Sequence, residues 1–195
     1  MHINKEHEKE IMKGKIMLPK NFKDDYRAMT EKSFEFFGGG RIIKHRPLRI
    51  NLAGRCAASD NFIISLFGRI WSSHYERNYG IELNYKNIGG GLLLMHPYNI
   101  TVNSRAILGK NVTLFKDITI GSVRSGPREG VPKIEDRVAI MPGAVVVGNI
   151  TVGHDTLIAA NAMVDFDIPP HSVVFGNPAQ VRHKQFASKD YLTGR

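Results

Sequence analysis

From Leu108 onward, aliphatic residues return at every sixth position. Leu108, Leu114 and Ile120 are spaced by six, and after a break Ile134, Ile140, Val146, Val152, Ile158 and Val164 take up the same spacing. Four residues behind each of the last six stand Val138, Ala144, Ile150, Thr156, Ala162 and Ile168. A helix repeats its buried face every 3.6 residues and a strand every 2, so neither keeps two rows in this phase over so long a stretch.

A six-residue period predicts a parallel β-helix. Each hexapeptide makes one short strand and one turn, and three make one coil of a triangular prism, about 18 residues. The large aliphatic residue points into the prism, and the small residue four later is expected to let the chain turn the corner. Polar and glycine positions such as Gly109-Lys110-Asn111 and Gly153-His154-Asp155 suit the turns. Carried back through Ile88, Leu94 and Val102, the phase gives roughly four to five coils. The step from Leu94 to Val102 is eight, so two extra residues are inserted in HPYNITVN. Between Gly121 and Lys133 the chain reads GSVRSGPREGVPK, an excursion from the prism, and the phase resumes at Ile134. Pro169 and Pro170 end the repeats. The chain is therefore expected to be mainly β: an N-terminal arm over 1–79, a β-helix over 80–180 carrying the loop 121–133, and a basic tail over 181–195.

The arm reads as a short irregular or helical region. Residues 1–40 scatter Ile16, Met17, Leu18, Phe34, Phe36 and Phe37 among charges, and Gly38-Gly39-Gly40 reads as a flexible joint. A basic stretch runs from Arg41 to Arg55. Residues 62–78 look helical, with Phe62, Leu66, Arg69 or Ile70, and Ser73 on one stripe and Gly80 as the stop. No apolar run is long enough to span a membrane, and the charged start lacks the apolar core of a signal peptide. The one cysteine, Cys56, excludes an intrachain disulfide and a multi-cysteine metal site, and reads as a small buried hydrophobe. These features are expected of a soluble, cytoplasmic protein. Lys and Arg outnumber Asp and Glu by 27 to 18, for a net charge of +9, which favours nucleic acid, a membrane surface or a phosphorylated ligand as partner. No recognition motif or basic–aromatic interleaving supports nucleic acid. Asn99, Asn111 and Asn149 each open an N-x-T sequon inside the repeats, and are discounted as glycosylation sites.

Four stretches carry a resemblance: GGGLLLMHPYNITVN, ILGKNVTLFKDITIG, VPKIEDRVAIMPGAVVVGNITVG and IPPHSVVFGNPAQV. Over about 80–184 the chain resembles the hexapeptide acyltransferases, specifically the serine acetyltransferase branch and its relatives that acetylate sugars in surface-polysaccharide clusters. The resemblance implies a left-handed parallel β-helix that forms a homotrimer, often doubled to a hexamer, and takes its acetyl group from acetyl-CoA. It implies that His96, in a cleft between neighbouring prisms, is the general base. It gives Glu82 as the carboxylate partner of His96, by an alignment with a one-residue gap. Two positions depart from the serine branch. Met95 stands where that branch has Asp before the histidine, and Gly130-Val131 stand where it has Arg-His. Both missing groups would hold serine, so the expected acceptor is another hydroxyl, a sugar first; serine is the alternative, and a non-catalytic trimeric scaffold the other.

The chemistry asks for few parts. An alcohol is a weak nucleophile at neutral pH, and a neutral imidazole suits the removal of its proton. A carboxylate on the far ring nitrogen would fix the tautomer and stabilise the imidazolium. Backbone N–H groups at Gly121 and Ser122 are candidate oxyanion donors. Pro142-Gly143-Ala144 and Ala159-Ala160 are small enough to let the pantetheine arm approach the backbone. Arg182 and Lys184 are candidates for the phosphates. The thioester is already activated, so no metal is required. A three-histidine metal site is set aside because His96, His154 and His171 read as far apart, with no closely spaced pair. Gly89-Gly90-Gly91 reads as turn spacing rather than as a ligand loop.

Overall fold

A computed structural model describes residues 18–33, 42 and 44–191; Ile16, Met17, Phe34, Phe36, Phe37 and the Gly38–Gly40 joint lie outside the described residues. Among the described residues three helices precede the repeats: α1 (Phe22–Thr30), α2 (Arg46–Ala57) and α3 (Phe62–Tyr79). Helix α2 opens with a proline in its first turn, where the missing N–H is no loss. Helix α3 opens on Asn61, whose side chain accepts from the N–H groups of Ile63 and Ile64, and it stops at Gly80, left-handed at φ 62°.

Fourteen short strands then wind a three-faced prism. They are β1 (Ile81–Glu82), β2 (Leu93–Met95), β3 (Ile100–Val102), β4 (Ile107–Leu108), β5 (Thr113–Phe115), β6 (Thr119–Gly121), β7 (Lys133–Ile134), β8 (Ala139–Ile140), β9 (Val145–Val147), β10 (Thr151–Val152), β11 (Leu157–Ile158), β12 (Met163–Val164), β13 (Ser172–Phe175) and β14 (Gln180–His183). One face is the five-stranded sheet β1-β3-β6-β9-β12, the second β4-β7-β10, and the third the six-stranded sheet β2-β5-β8-β11-β13-β14. All pairs are parallel except β13 with β14. Single bridges from Ile88 to Leu108 and from Val152 to Ile168 extend the second face to the first and last coils. In-register partners are the six-spaced aliphatics: Leu94, Leu114 and Ile140 on one face, Val102, Ile120 and Val146 on another, Leu108 and Ile134 on the remaining one. All are buried, and they form one continuous core with the first coil and parts of α2 and α3.

The corners are built differently from the sequence expectation. Residues four behind the aliphatics do not make the turn. Val112, Ile118, Val138, Ala144, Thr156 and Ala162 are buried inside the prism. The turn falls one residue earlier, on Asn111, Asp117, Arg137, Gly143, Asp155 and Asn161, which have φ between 52° and 72°. That left-handed conformation is cheapest for Gly, Asn and Asp, which hold five of these six positions. At the corner between the six-stranded and five-stranded faces, the N–H groups of Asn99, Asp117 and Asn161 donate to Tyr79, Tyr98 and Pro142 in the coil below. A second ladder, at the corner entering the six-stranded face, runs Asn111 to Gly90, Arg137 to Lys110, Asp155 to Asp136 and His171 to His154.

The helical layer is fastened to the first coil by a buried ion pair. Arg55 donates from Nε to Asp25 Oδ2 at 2.8 Å and from Nη2 to Asp25 Oδ1 at 3.0 Å. Its remaining donors reach the carbonyls of Ile88 at 2.7 Å and Gly89 at 2.6 Å. Asp25 Oδ1 also accepts from the N–H groups of Gly91 and Leu92, both at 2.9 Å. Burial pushes the Asp25 carboxyl above its ordinary value, while Arg55 and those two N–H groups pull it back. Helix α3 packs on α2 through Ser65, Gly68 and Tyr75, and a side chain at Gly68 would collide with the backbone of Cys56 and Ala57. The stripe of Phe62, Leu66 and Ile70 is therefore turned outward and exposed. Cys56 is half-buried, and burial pushes its thiol up.

Of the residues read as a tail, 181–191 are built into the prism. Strand β14 pairs antiparallel with β13, and the chain then runs back along the six-stranded face. Ser188 donates to Asp155 through both its N–H and its hydroxyl, and Thr113 Oγ1 donates to the carbonyl of Tyr191 at 2.8 Å.

Candidate active site

His96 follows β2 directly. The two-residue insertion bulges the chain out at the corner between the six-stranded and five-stranded faces, and His96 has φ 52°. Its side chain is exposed, as is that of Tyr98, while Pro97 between them is buried. Glu82 sits in β1, exposed, opposite Thr101 of β3. Among the described residues neither His96 nor Glu82 has a side-chain hydrogen bond or ion pair, so the structure does not join them within one chain.

The other candidates divide between two corners. Pro142 and Ala160 lie on the His96 corner, where the N–H of Gly143 donates to Lys116 O and that of Asn161 to Pro142 O. Ala160 is exposed and Pro142 half-buried, and Lys116 and Asp117 stand in the coil between them and the histidine. Gly121 ends β6 at the opposite edge of the five-stranded face, with Ser122 beyond it. Across a strand of three residues, about 10 Å, that face separates them from the His96 corner.

Gly121 and Ser122 open the inserted loop, which folds back as a hairpin. Val123 and Gly130 exchange N–H···O bonds at 3.0 Å, Asn149 N–H donates to Arg128 O at 3.0 Å, and the Arg128 guanidinium lies 3.1 Å from Asp165. Gly130 has φ 135°, and a side chain there would press on Asn149 Cβ. Val131 packs against the core. These anchors were missed in the sequence, since irregular spacing carries no register information.

Arg182 and Lys184 follow the end of the repeats and are exposed; Arg182 rests over the Phe175 ring, 5.8 Å from its centroid. Strand β14 stands five strands from β2, about 24 Å at the usual sheet spacing. Two cavities among the described residues lie elsewhere. One of about 510 Å³ is lined by Arg55, Ala58, Tyr85 and Lys86, and another of about 330 Å³ by Lys133, Glu135, Arg137 and His154.

The histidines require a correction. His154 and His171 were expected to be far apart, but their ring centroids are 5.0 Å apart, and His183 lies 6.2 Å from His171. The reason is coil arithmetic: seventeen residues separate 154 from 171, close to one full turn of the prism. That count was the signal available in the sequence. His171 Nδ1 lies 2.7 Å from Asp155 Oδ2. Burial pushes the Asp155 carboxyl up, but the bonds from His171, Ser188 and the Phe186 backbone outweigh it and hold the group below its usual range. Among the described residues no group of three or more His, Cys, Asp or Glu is placed to hold a metal ion.

Residues 132–165 match the family model for the bacterial transferase hexapeptide (six repeats). Among curated proteins, the chain is 32% identical over 110 residues to serine acetyltransferase 2 of Arabidopsis thaliana, covering 56% of this chain and 34% of that protein. It is 33% identical over 102 residues to serine acetyltransferase of Escherichia coli K12, covering 52% and 37%. The matched part thus spans little more than a third of these relatives' length. Among solved structures, the soybean serine acetyltransferase apoenzyme aligns with TM-score 0.54 and 27% identity over 69% of this chain and 55% of that one. Serine acetyltransferase of Neisseria gonorrhoeae aligns with TM-score 0.63 over 85% and 66%, at 24% identity, a likeness of fold. Among the described residues no helix is long and apolar enough to cross a membrane.

Proposed function

We propose that the protein is an O-acetyltransferase that moves an acetyl group from acetyl-CoA to a hydroxyl acceptor, with His96 as general base. The observation that carries the reading is His96 itself: an unpartnered, exposed imidazole held in a left-handed bulge on the corner that carries Pro142 and Ala160 two and three coils above. The imidazole takes the acceptor's proton as the oxygen attacks the thioester carbon, and returns it to the departing thiol sulfur. Glu82 would orient and stabilise the imidazolium, and backbone N–H groups at Gly121 or Ser122 would meet the oxyanion. His96 and Gly121 lie at opposite edges of one face. A site using both is completed by a second prism, which supports the homotrimer, and a hexamer would double it. Left-handed coiling belongs to the same reading. Pro142 and Ala160 would line the pantetheine arm, with Arg182 and Lys184 toward the phosphates.

The acceptor needs revision. The relatives above are serine acetyltransferases, and that favours serine over the sugar expected from sequence, with a role in cysteine biosynthesis. A second reading rests on one observation. Gly130, in the loop, has φ 135° and no room for a side chain, so no cation can stand there to hold a carboxylate. That supports an acceptor other than an amino acid. Thiol release from acetyl-CoA, measured with serine and with a panel of sugars, separates the two. Acceptor-dependent release lost in His96→Ala supports the transferase; no release with any hydroxyl compound sinks it in favour of the scaffold.

A further inference from the structure

We infer that the first half of helix α3 is a docking face for an anionic lipid surface. Phe62, Ile63, Leu66, Phe67, Ile70 and Trp71 are all 37% to 78% exposed. At 100° per residue they cover about half the helix circumference over roughly 15 Å. The packed side of the same helix is made of Ser65, Gly68 and Tyr75. The usual arrangement, large apolar side chains inward and small polar ones outward, is inverted. The exposed apolar area is on the order of 800 Å², above the ~300–600 Å² of the largest patch on ordinary monomers. A face this broad and shallow is wider than the narrow seam by which two helices pair. It suits a planar apolar medium, as in helices that lie in a membrane interface with Phe, Leu and Trp immersed.

Charge names the surface. Over described residues 18–33, 42 and 44–79 there are ten Lys and Arg against five Asp and Glu. Over 80–191 there are eleven against nine. The positive excess is concentrated in the helical layer that carries the apolar face. Arg69 and Arg77 on α3 and Lys44 just before α2 are exposed. Basic residues beside an immersed helix are drawn to negatively charged headgroups and are screened by salt. The inference does not depend on what the enzyme acetylates.

Trp71 is the only tryptophan and sits on this face, so it reports directly. The test is flotation of the full chain with vesicles of phosphatidylcholine mixed with phosphatidylglycerol, against phosphatidylcholine alone, while Trp71 emission is followed. Expected are co-flotation with the anionic vesicles, a blue shift of Trp71, and loss of both at high salt. Phe62→Ser/Phe67→Ser, which removes exposed side chains and should melt like the parent, is expected to lower vesicle binding at least about tenfold. Arg69→Glu/Arg77→Glu should lower it on anionic vesicles only. Absence of flotation, equal binding to neutral vesicles, or undiminished binding by the Phe variant would each overturn the inference. So would a blue shift that follows protein concentration without lipid, which would assign the face to a second copy. A blue-shifted, quencher-protected Trp71 in dilute protein would assign it to the chain's own residues 1–17 or 34–41.

Discussion

Replacing Arg55 by Met removes the guanidinium that joins the helical layer to the first coil while keeping its apolar stem. Arg55 and Asp25 have side-chain exposures of 2% and 0%. Breaking a buried pair from one side costs about 3–5 kcal/mol, because the other charge stays behind. Here Asp25 keeps the N–H groups of Gly91 and Leu92, while the carbonyls of Ile88 and Gly89 lose their donor. Burial already favours the protonated form of Asp25, and without Arg55 that preference grows, so the carboxyl can take up a proton rather than remain a naked charge. The expected cost at neutral pH is therefore at the lower end, about 3 kcal/mol, or roughly 6–12 °C in melting temperature for a chain of this size. The sign with pH follows. A carboxyl whose folded pKa lies above its unfolded one binds its proton more tightly when folded, so the variant's deficit shrinks as pH falls from 7.5 toward 5. Urea unfolding by circular dichroism at fixed protein concentration measures the loss, and amide exchange over residues 22–30 and 46–57 locates it. Asp25→Leu/Arg55→Met, which leaves no charge, should regain at least about 2 kcal/mol. A loss below about 1 kcal/mol in Arg55→Met, or a double variant no better than the single one, would refute the assignment.

Three further outcomes are expected. His96→Ala should lose roughly 10²–10⁴ in turnover with melting unchanged, and a variant keeping more than a tenth of the parent rate would remove His96 from the chemistry. The Thr156 hydroxyl is buried in the prism without a hydrogen-bond partner, so the isosteric Thr156→Val should gain about 1 kcal/mol in urea unfolding, and a loss would mean the hydroxyl has a partner. Asp155 is held below its usual pKa by His171 and Ser188, so its stabilisation of the C-terminal return is present above about pH 4 and lost as pH falls further. Faster amide exchange over 184–191 in that window would show it. Asp155→Asn should produce the release at pH 7, read as tryptic cleavage after Lys184 and Lys189, and equal protection in that variant would contradict the linkage.

The prism was legible because its information is periodic. A residue such as Ile140 has one allowed direction, inward, and its phase with Leu114 and Ile158 states its neighbours as well as its burial. The corner was misread by one position because small size and left-handed backbone are different demands: Ala144 and Ala162 are small to fit inside, while Gly143 and Asn161 make the turn. Contacts between coils were legible only by counting, which is how the His154–His171 approach escaped notice. The helical layer carried the weakest signal. Arg55 looked like one more member of a basic run, and nothing local to it announces Asp25, thirty residues earlier, or the carbonyls beyond Tyr85. Glu82 stayed unresolved: it stands exposed in β1 with no side-chain hydrogen bond or ion pair among the described residues.

The inserted loop gives this architecture a division of labour over evolutionary time. Eleven residues stand between β6 and β7, where four stand between β3 and β4 and three between β9 and β10, yet β7 keeps register with both β4 and β10. Doubling a loop costs only about 0.6 kcal/mol in closure entropy, whereas truncating one buried aliphatic such as Ile134 to Ala costs about 2–5 kcal/mol. Variation is therefore cheap at that corner and expensive everywhere in the column beside it. A lineage could lengthen, shorten or rewrite the loop while the aliphatic column, and with it the proposed acetyl-CoA site on the opposite corner, stayed still.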